Sequence, residues 1–307
     1  MSKIEWTDIT INPIKAVRKD TGKIGWHCVK VSPECTHCYA EAMNKRNMPG
    51  CGTGLPYTVG ATDLVTMYFD MKPFEKLARM KAPKKVFPCS MTDLFADFVP
   101  GFFITKMFDW FRRLPQHTFQ VLTKRAERMA EWAPRDPLPN VWLGVTAGDQ
   151  QRAEERTGWL RRTPAAKRFV SYEPALGPVR FDLAEIHWVI AGGESGRHAR
   201  PAHPEWFRAV RDQCAAAGVP FFFKQRGEWC WDQVEPGIEG ESEATQYIRL
   251  DGERGAGWVL ESDPEVISNY AGVEPDEASV WIRRIGKKRA GRLLDGREWN
   301  QFPEVKL

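Results

Sequence analysis

Short apolar runs return at intervals from residue 85 onward, with stretches of helical period between them. The runs cover 85–89, 119–122, 141–145, 168–172, 187–191 and 220–223. Each is almost continuously apolar, the pattern of a strand buried on both faces rather than one. Between them, 102–114 puts Phe103, Met107, Trp110, Phe111 and Leu114 on one helical face. In 204–217, Trp206, Val210, Cys214 and Ala217 do the same, with Pro204 in the first turn. Strands alternating with helices predict an α/β fold whose parallel sheet is covered on both sides. With a further strand in 4–13, the six units predict a full or partial (β/α) TIM-like barrel, with a doubly wound sheet as the alternative.

Elsewhere the pattern is less regular. The Lys/Arg-rich stretch 15–23 reads as an exposed loop, and apolar alternation over 24–31 leads to a turn at 32–34. A helix is expected over 39–47, then a Gly/Pro-rich loop over 49–62. Past Gly227 the rhythm stops. Acidic 232–245 reads as a solvated loop or insertion, and 246–285 as a strand or two with a helix near 276–284. The expected organisation is a barrel-like domain over 1–227 and a C-terminal extension over 228–307.

Composition narrows the class. A hydrophobic share of 42% and a charged share of 27% fit a globular protein with a full core. No apolar run approaches the 18 or so residues that span a bilayer, and the first residues lack a signal-peptide core. The expectation is a cytoplasmic protein with no membrane partner. A net charge of +4 permits a nucleic-acid partner without demanding one.

The candidate chemistry centres on 28–41, where three of seven cysteines fall with the spacing Cys28-x6-Cys35-x2-Cys38. Three thiolates on one loop can chelate a soft metal or hold three irons of a four-iron cluster, leaving one position open. The alternatives are buried thiols, disulfide partners, or a structural zinc site completed by His37 or His27. A helix starting directly after Cys38 would turn the positive end of its dipole toward such a centre. Cys51, Cys89, Cys214 and Cys230 read as structural, with Cys89 ending a strand.

Each later strand is followed by polar or small residues: Ser90 to Asp93, Thr123-Lys124-Arg125, Thr146 to Asp149, Glu173-Pro174, Gly192 to Ser195, and Lys224-Gln225-Arg226. In a barrel these form the C-terminal rim. Helix capping accounts for Asp149 and Ser195. Ser90, Asp93, Thr146, Glu173, Gly192, Gly193, Glu194 and Lys224 are the candidate cofactor and substrate contacts. Near the C-terminus, Arg283, Arg284, Lys287, Lys288, Arg289, Arg292 and Arg297, with Trp281 and Trp299, make a basic tail over 283–299. Such a patch can neutralise backbone phosphates while indoles stack on bases.

Taken together, these residues resemble the phage-associated three-cysteine-motif family. The resemblance is carried by Thr10-Ile11-Asn12-Pro13, the segment from Cys28 to Glu41, Ser90 to Asp93, Leu122 to Arg125, Trp142 to Thr146, Ser171 to Pro174, Gly192 to Ser195, Phe223 to Gln225, and Gly291 to Trp299. That family is similar in turn to radical S-adenosylmethionine (SAM) enzymes. The resemblance implies a barrel with a [4Fe-4S] cluster on Cys28, Cys35 and Cys38, SAM on the fourth iron, and an external electron donor. It further implies a 5′-deoxyadenosyl radical acting on a substrate, with phage association and the basic tail pointing to DNA or RNA. Two departures stand out: the first gap is six residues where radical SAM enzymes have three, with His37 at the aromatic position before the last cysteine, and Ile11 stands where the family commonly has Trp before Asn-Pro. The competing reading is a non-catalytic, zinc-stabilised nucleic-acid-binding or interaction protein.

Overall fold

The structure is a computed structural model and describes residues 4–46, 52–232, 237–238, 245–260 and 263–304. Near the N-terminus, β1 (Ile9–Ile11) is followed by β2 (Ile14–Arg18), β3 (Ile24–Gly25) and β4 (Val65–Phe69). The last three pair antiparallel in a small sheet. The apolar runs from residue 85 become β5 (Lys85–Pro88), β6 (Thr118–Thr123), β7 (Val141–Thr146), β8 (Lys167–Tyr172), β9 (Trp188–Gly192) and β10 (Phe221–Gln225). Together with β1 they form a seven-stranded parallel sheet in the order β1-β5-β6-β7-β8-β9-β10. The strand path is open, with β1 and β10 at its ends.

The continuous apolar runs do sit in the interior: all six residues of β7 and all five of β9 are buried. Gly144 in β7 faces the Phe169 ring, where any Cβ would lie 2.4 Å from it. The helices are α1 (Tyr39–Lys45), α2 (Lys72–Ala78), α3 (Gly101–Arg113), α4 (Ala126–Trp132), α5 (Gln150–Arg162) and α6 (Pro204–Ala217). On α3 the expected face is buried at Phe103, Met107 and Phe111. Helix α6 begins where Pro204 marks its first turn, because His203 Nδ1 accepts the Glu205 N–H at 3.2 Å. It ends at Gly218, whose φ of 66° is the left-handed conformation glycine adopts without strain.

Two compact units emerge from the distribution of contacts. One comprises 1–147, 154–171 and 184–188, and the other 148–153, 172–183 and 189–307. Residues 189–227 thus group with the C-terminal segment rather than with the N-terminal strands. In the first unit, Trp6 packs on the rings of Phe87, Phe169 and Trp188. In the second, Phe207 packs on Tyr172, Phe223 and Trp231.

Beyond β10 lie β11 (Trp229–Cys230), β12 (Gly237–Ile238), β13 (Thr245–Ile248), β14 (Arg254–Leu260), β15 (Asp263–Gly272), β16 (Val280–Arg284) and the short α7 (Lys287–Ala290). The six strands form one sheet. The helix expected near 276–284 is therefore wrong: Val280, Trp281 and Ile282 are β-formers, and they pair antiparallel with β13. The exposed loop expected over 15–23 is corrected in its first part, 15–18, which is strand, while 19–23 is an exposed turn as expected. The charged residues of that strand mask a period-two pattern in which Ile14 and Ala16 are buried. Most of the acidic 232–245 stretch lies outside the described residues, as does Cys51. Among the described residues, no helix is long and apolar enough to cross a membrane.

Candidate functional site

The cysteine loop belongs to the first unit. Helix α1 begins at Tyr39, directly after Cys38, as the spacing predicts. Cys28, Cys35 and Cys38 are all free and half-buried. Cys28 and Cys38 pack against one small apolar cluster of Trp26, Ala40, Tyr57 and Met91. Ser32 Oγ lies 3.9 Å from Cys35 Sγ.

Two arginines tether this loop to strand ends far away in sequence. Arg125 follows β6; its Nη2 donates to the Val29 carbonyl at 2.8 Å and its Nη1 to Asp93 Oδ2 at 3.0 Å. Arg156, on α5, donates from Nη1 to Glu34 Oε1 at 3.0 Å and to the Thr146 carbonyl at 2.6 Å. Glu34 sits in the 3-10 turn Pro33–Cys35, so this buried ion pair ties the middle of the loop to the end of β7. Arg125 stands in the rim pattern without an assigned role and Arg156 lies outside it; their partners in the loop are 96 and 122 residues away.

The helix side is braced as well. Buried Asn44 accepts from the Trp26 and Thr53 N–H groups, each at 3.0 Å, and donates to Thr53 Oγ1 and the Leu55 carbonyl. Glu41 takes Lys30, Lys45 and the Tyr57 N–H. Tyr39 and Tyr57 donate their hydroxyls to the Ser90 and Met91 carbonyls at 2.7 and 2.8 Å. The chain on both sides of the cysteines is therefore fixed by hydrogen bonds rather than by propensity.

Burial pushes the Cys28 thiol up to about 11; the Asp93 charge adds to this, while Arg125 and a backbone N–H oppose it. As it stands the sulfur is protonated at neutral pH. His27 is held down to about 4 by burial first and Arg125 second, and its Nε2 meets Thr62 Oγ1 at 2.9 Å. Asp93 stays below its ordinary value although burial works the other way. Its two oxygens accept from Thr123, Lys124, Arg125 and Phe95. Asp93 is thus a hub that orients Arg125. The Ser90 hydroxyl exchanges hydrogen bonds with the Asn12 amide, and buried Thr146 offers its carbonyl to Arg156.

The remaining rim candidates belong to the second unit. Glu194 is buried and takes Arg200 in a two-pronged pair at 2.6 and 2.8 Å. Lys224 Nζ donates to Glu173 Oε1 at 2.6 Å, and Gln225 Nε2 reaches the same oxygen at 3.1 Å. Gly192 borders Glu173, where an added Cβ would sit at contact distance. Gly193 is required by the backbone alone, since a Cβ would fall 2.0 Å from the Arg226 carbonyl. Asp149 caps α5, accepting the Arg152 N–H at 2.9 Å, as the capping reading expects.

Part of the basic tail packs on aromatic rings. Arg297 and Arg211 lie over the Trp299 ring, at 3.4 and 5.4 Å from its centroid, and Asp295 takes Arg208 and Arg211. Arg292 packs over Phe222. Arg283, Arg284, Lys288 and Arg289 remain exposed.

A family model described as "Protein of unknown function (DUF5131)" matches residues 1–303. The chain belongs to this family. No curated protein and no solved structure matches it. In this DUF5131 chain the donor set fits a soft metal or an iron–sulfur cluster: three free thiols on one braced loop, none in a disulfide. Among the described residues, no three His, Cys, Asp or Glu side chains stand in a ready metal-holding group, so the fit rests on donor type.

Proposed function

We propose that this protein is a radical SAM-like iron–sulfur enzyme acting on a nucleic acid or nucleotide, as in DNA or RNA modification or repair. The observation that carries the reading is the tethering of the Cys28–Cys38 loop by Arg125 and Arg156 around a shared apolar cluster. These contacts hold the loop at Val29 and Glu34, which leaves the three thiols to be drawn together by the metal. The resemblance to radical SAM enzymes adds the open fourth position, and with it SAM and an external electron donor.

Cys28, Cys35 and Cys38 would hold a [4Fe-4S] cluster as thiolates, which when bound supplies the electron that cleaves SAM to a 5′-deoxyadenosyl radical. The chain's own contribution is positional. Arg125 and Arg156 fix the loop, while Trp26, Tyr57 and Met91 keep water from its inner side. Burial keeps the proton on Cys28 until a metal displaces it. The exposed Arg283, Arg284, Lys288 and Arg289 supply charge for a phosphate backbone.

Anaerobic reconstitution tests the reading. The expected result is about four irons per chain, lost in Cys35→Ala, with SAM cleaved under dithionite. Stoichiometric zinc without iron uptake would instead support the zinc-stabilised nucleic-acid-binding module.

A further inference from the structure

The first unit carries a basic surface that the cysteine chemistry does not use. It spans 72–85, from the start of α2 to the first residue of β5, with six cationic side chains against one carboxylate, Glu75. Six against one is a net charge of +5, more than the +4 of the whole chain. On α2 the order is helical. Lys72 and Lys76 are four residues apart and Arg79, still in helical conformation, is three further, which sets all three on one stripe. Phe74 and Leu77 fall on the opposite side and are buried. The stripe itself is exposed, as is Lys81.

The helix is held at both ends. Asp70 Oδ1 accepts the Lys72 N–H at 3.1 Å, and His117 donates from Nε2 to the Leu77 carbonyl at 3.0 Å. Phe74 stacks on Phe69 and on Trp110, and Arg113 lies over the Trp110 ring at 5.7 Å, which brings an exposed cation of α3 near α2. The fold gains nothing from this arrangement of charge. Lys72, Lys76, Arg79, Lys81, Lys84 and Arg113 make no ion pair among the described residues. Like charges three and four residues apart on a helix repel, and Lys72 also stands at the positive end of the dipole. Elsewhere in the same unit exposed cations are paired: Arg18 with Asp20, Lys45 with Glu41, Arg112 with Asp109. A self-repelling row of unpaired cations fits a ligand that brings the negative charge.

We propose that the exposed face of α2, with the segment that follows it to Lys84, grips the phosphate backbone of a nucleic acid. A rise of about 1.5 Å per residue spaces the three cations of the stripe by about 6 and 4.5 Å along the helix axis, so they meet successive phosphates rather than one shared group. From Lys72 to Lys84 no large apolar side chain is exposed. Protein interfaces centre on aromatic side chains and Met and are depleted in Lys, so this surface suits phosphates and not a protein. Its place in the fold sets the length of the ligand. The basic segment enters β5 at Lys85, while Asp93, which holds Arg125 against the cysteine loop, lies past the other end of that strand. Four strand residues span about 13 Å, so a strand of several nucleotides reaches both places and a free nucleotide does not. The proposal rests on the nucleic-acid or nucleotide reading above and narrows it to a polymer held at a second place.

The test is binding of a fluorescent single strand of about 20 nucleotides to the full-length, metal-reconstituted protein, followed by anisotropy across a salt series. The triple variant Lys72→Gln, Lys76→Gln, Arg79→Gln, checked for an unchanged circular dichroism spectrum, loses three phosphate contacts. Its plot of log affinity against log salt should be shallower by about 2, and its affinity at about 0.1 M salt lower by about tenfold to a hundredfold. The charge-keeping variant Lys72→Arg, Lys76→Arg should retain both. In the unaltered protein the strand should shield Lys72, Lys76 and Lys81 from acetylation, a readout by mass spectrometry that needs no variant. Binding with the parent's slope in the triple variant, and no shielding of these lysines, would overturn the assignment and leave the nucleic-acid reading standing. No binding of the strand by a protein that takes up iron normally would overturn both. Polyglutamate of equal charge binding as tightly as the strand, and released by the triple variant, would overturn it in favour of an acidic protein partner.

Discussion

Glu34 and Arg156 give the sharpest test of how the cysteine loop is held. Their side chains are 0% and 5% exposed, and the closest atoms are 3.0 Å apart. At an effective dielectric constant of about 20, opposite charges at that distance attract by roughly 5 kcal/mol. Desolvation offsets much of this in the intact pair, but not when one partner is removed, because the other then stays buried without the opposite charge of this pair. Glu34→Gln keeps the shape but takes the negative charge from the guanidinium; Arg156→Met takes the positive charge from the carboxylate and also removes the bond to the Thr146 carbonyl. Each should lower the unfolding free energy by about 3–5 kcal/mol. The double variant removes both charges and should be less destabilised than the sum of the two by at least about 2 kcal/mol. Urea unfolding of the four proteins, followed by tryptophan fluorescence, measures all three quantities. Single variants within 1 kcal/mol of the parent, or strictly additive effects, would refute the idea that this pair clamps the loop.

Three further predictions concern other parts of the fold. Gly193→Ala should cost about 2–3 kcal/mol, because its Cβ would meet the Arg226 carbonyl. Gly158→Ala, inside α5 with nothing within 4 Å, should gain about 0.5–1 kcal/mol; urea midpoints moving in the same direction for both would contradict the packing described. Burial, with Arg208 adding, holds His203 below its ordinary 6.5, against the Ala278 carbonyl and the charges of Glu205 and Asp276. A depressed folded value means that stability is present above 6.5 and is lost as pH falls below it, since the unfolded chain then binds a proton that the folded one refuses. His27 and His187 shift the same way. His203→Asn keeps a capping acceptor for α6 and should flatten part of the fall in melting temperature between pH 7.5 and 5.5; an unchanged slope would remove His203 from the account.

The parallel sheet was legible because strands buried on both faces leave near-continuous apolar runs, and β5 to β10 all fall where those runs lie. Helices α3 and α6 were legible from their periodicity, and α6 also from Pro204. Strand β2 was not, since Lys15 and Arg18 break up a five-residue alternation that only its pairing with β4 makes meaningful. Strand β16 read as a helix because its arginines follow apolar residues at a spacing that suits either period. At the site, the cysteine spacing and the helix directly after it could be read from local order. The roles of Arg125, Arg156 and Asn44 could not, because each depends on partners brought close only by folding. The rim residues were found as a set, yet what each does depends on its neighbours. Asp93 and Glu194 are occupied by Arg125 and Arg200, while Gln225, named in the rim pattern but given no role, has a buried oxygen without a hydrogen-bond partner among the described residues.

Electron paramagnetic resonance of the anaerobically reconstituted, dithionite-reduced protein, recorded with and without SAM, tests whether the three cysteines hold a cluster that SAM binds. The account predicts a spin-half signal of a reduced four-iron cluster whose g-values move when SAM is added, and its disappearance when Cys28, Cys35 or Cys38 is replaced by alanine. A protein that shows no iron signal, or one whose signal survives loss of any of those three cysteines, would contradict it.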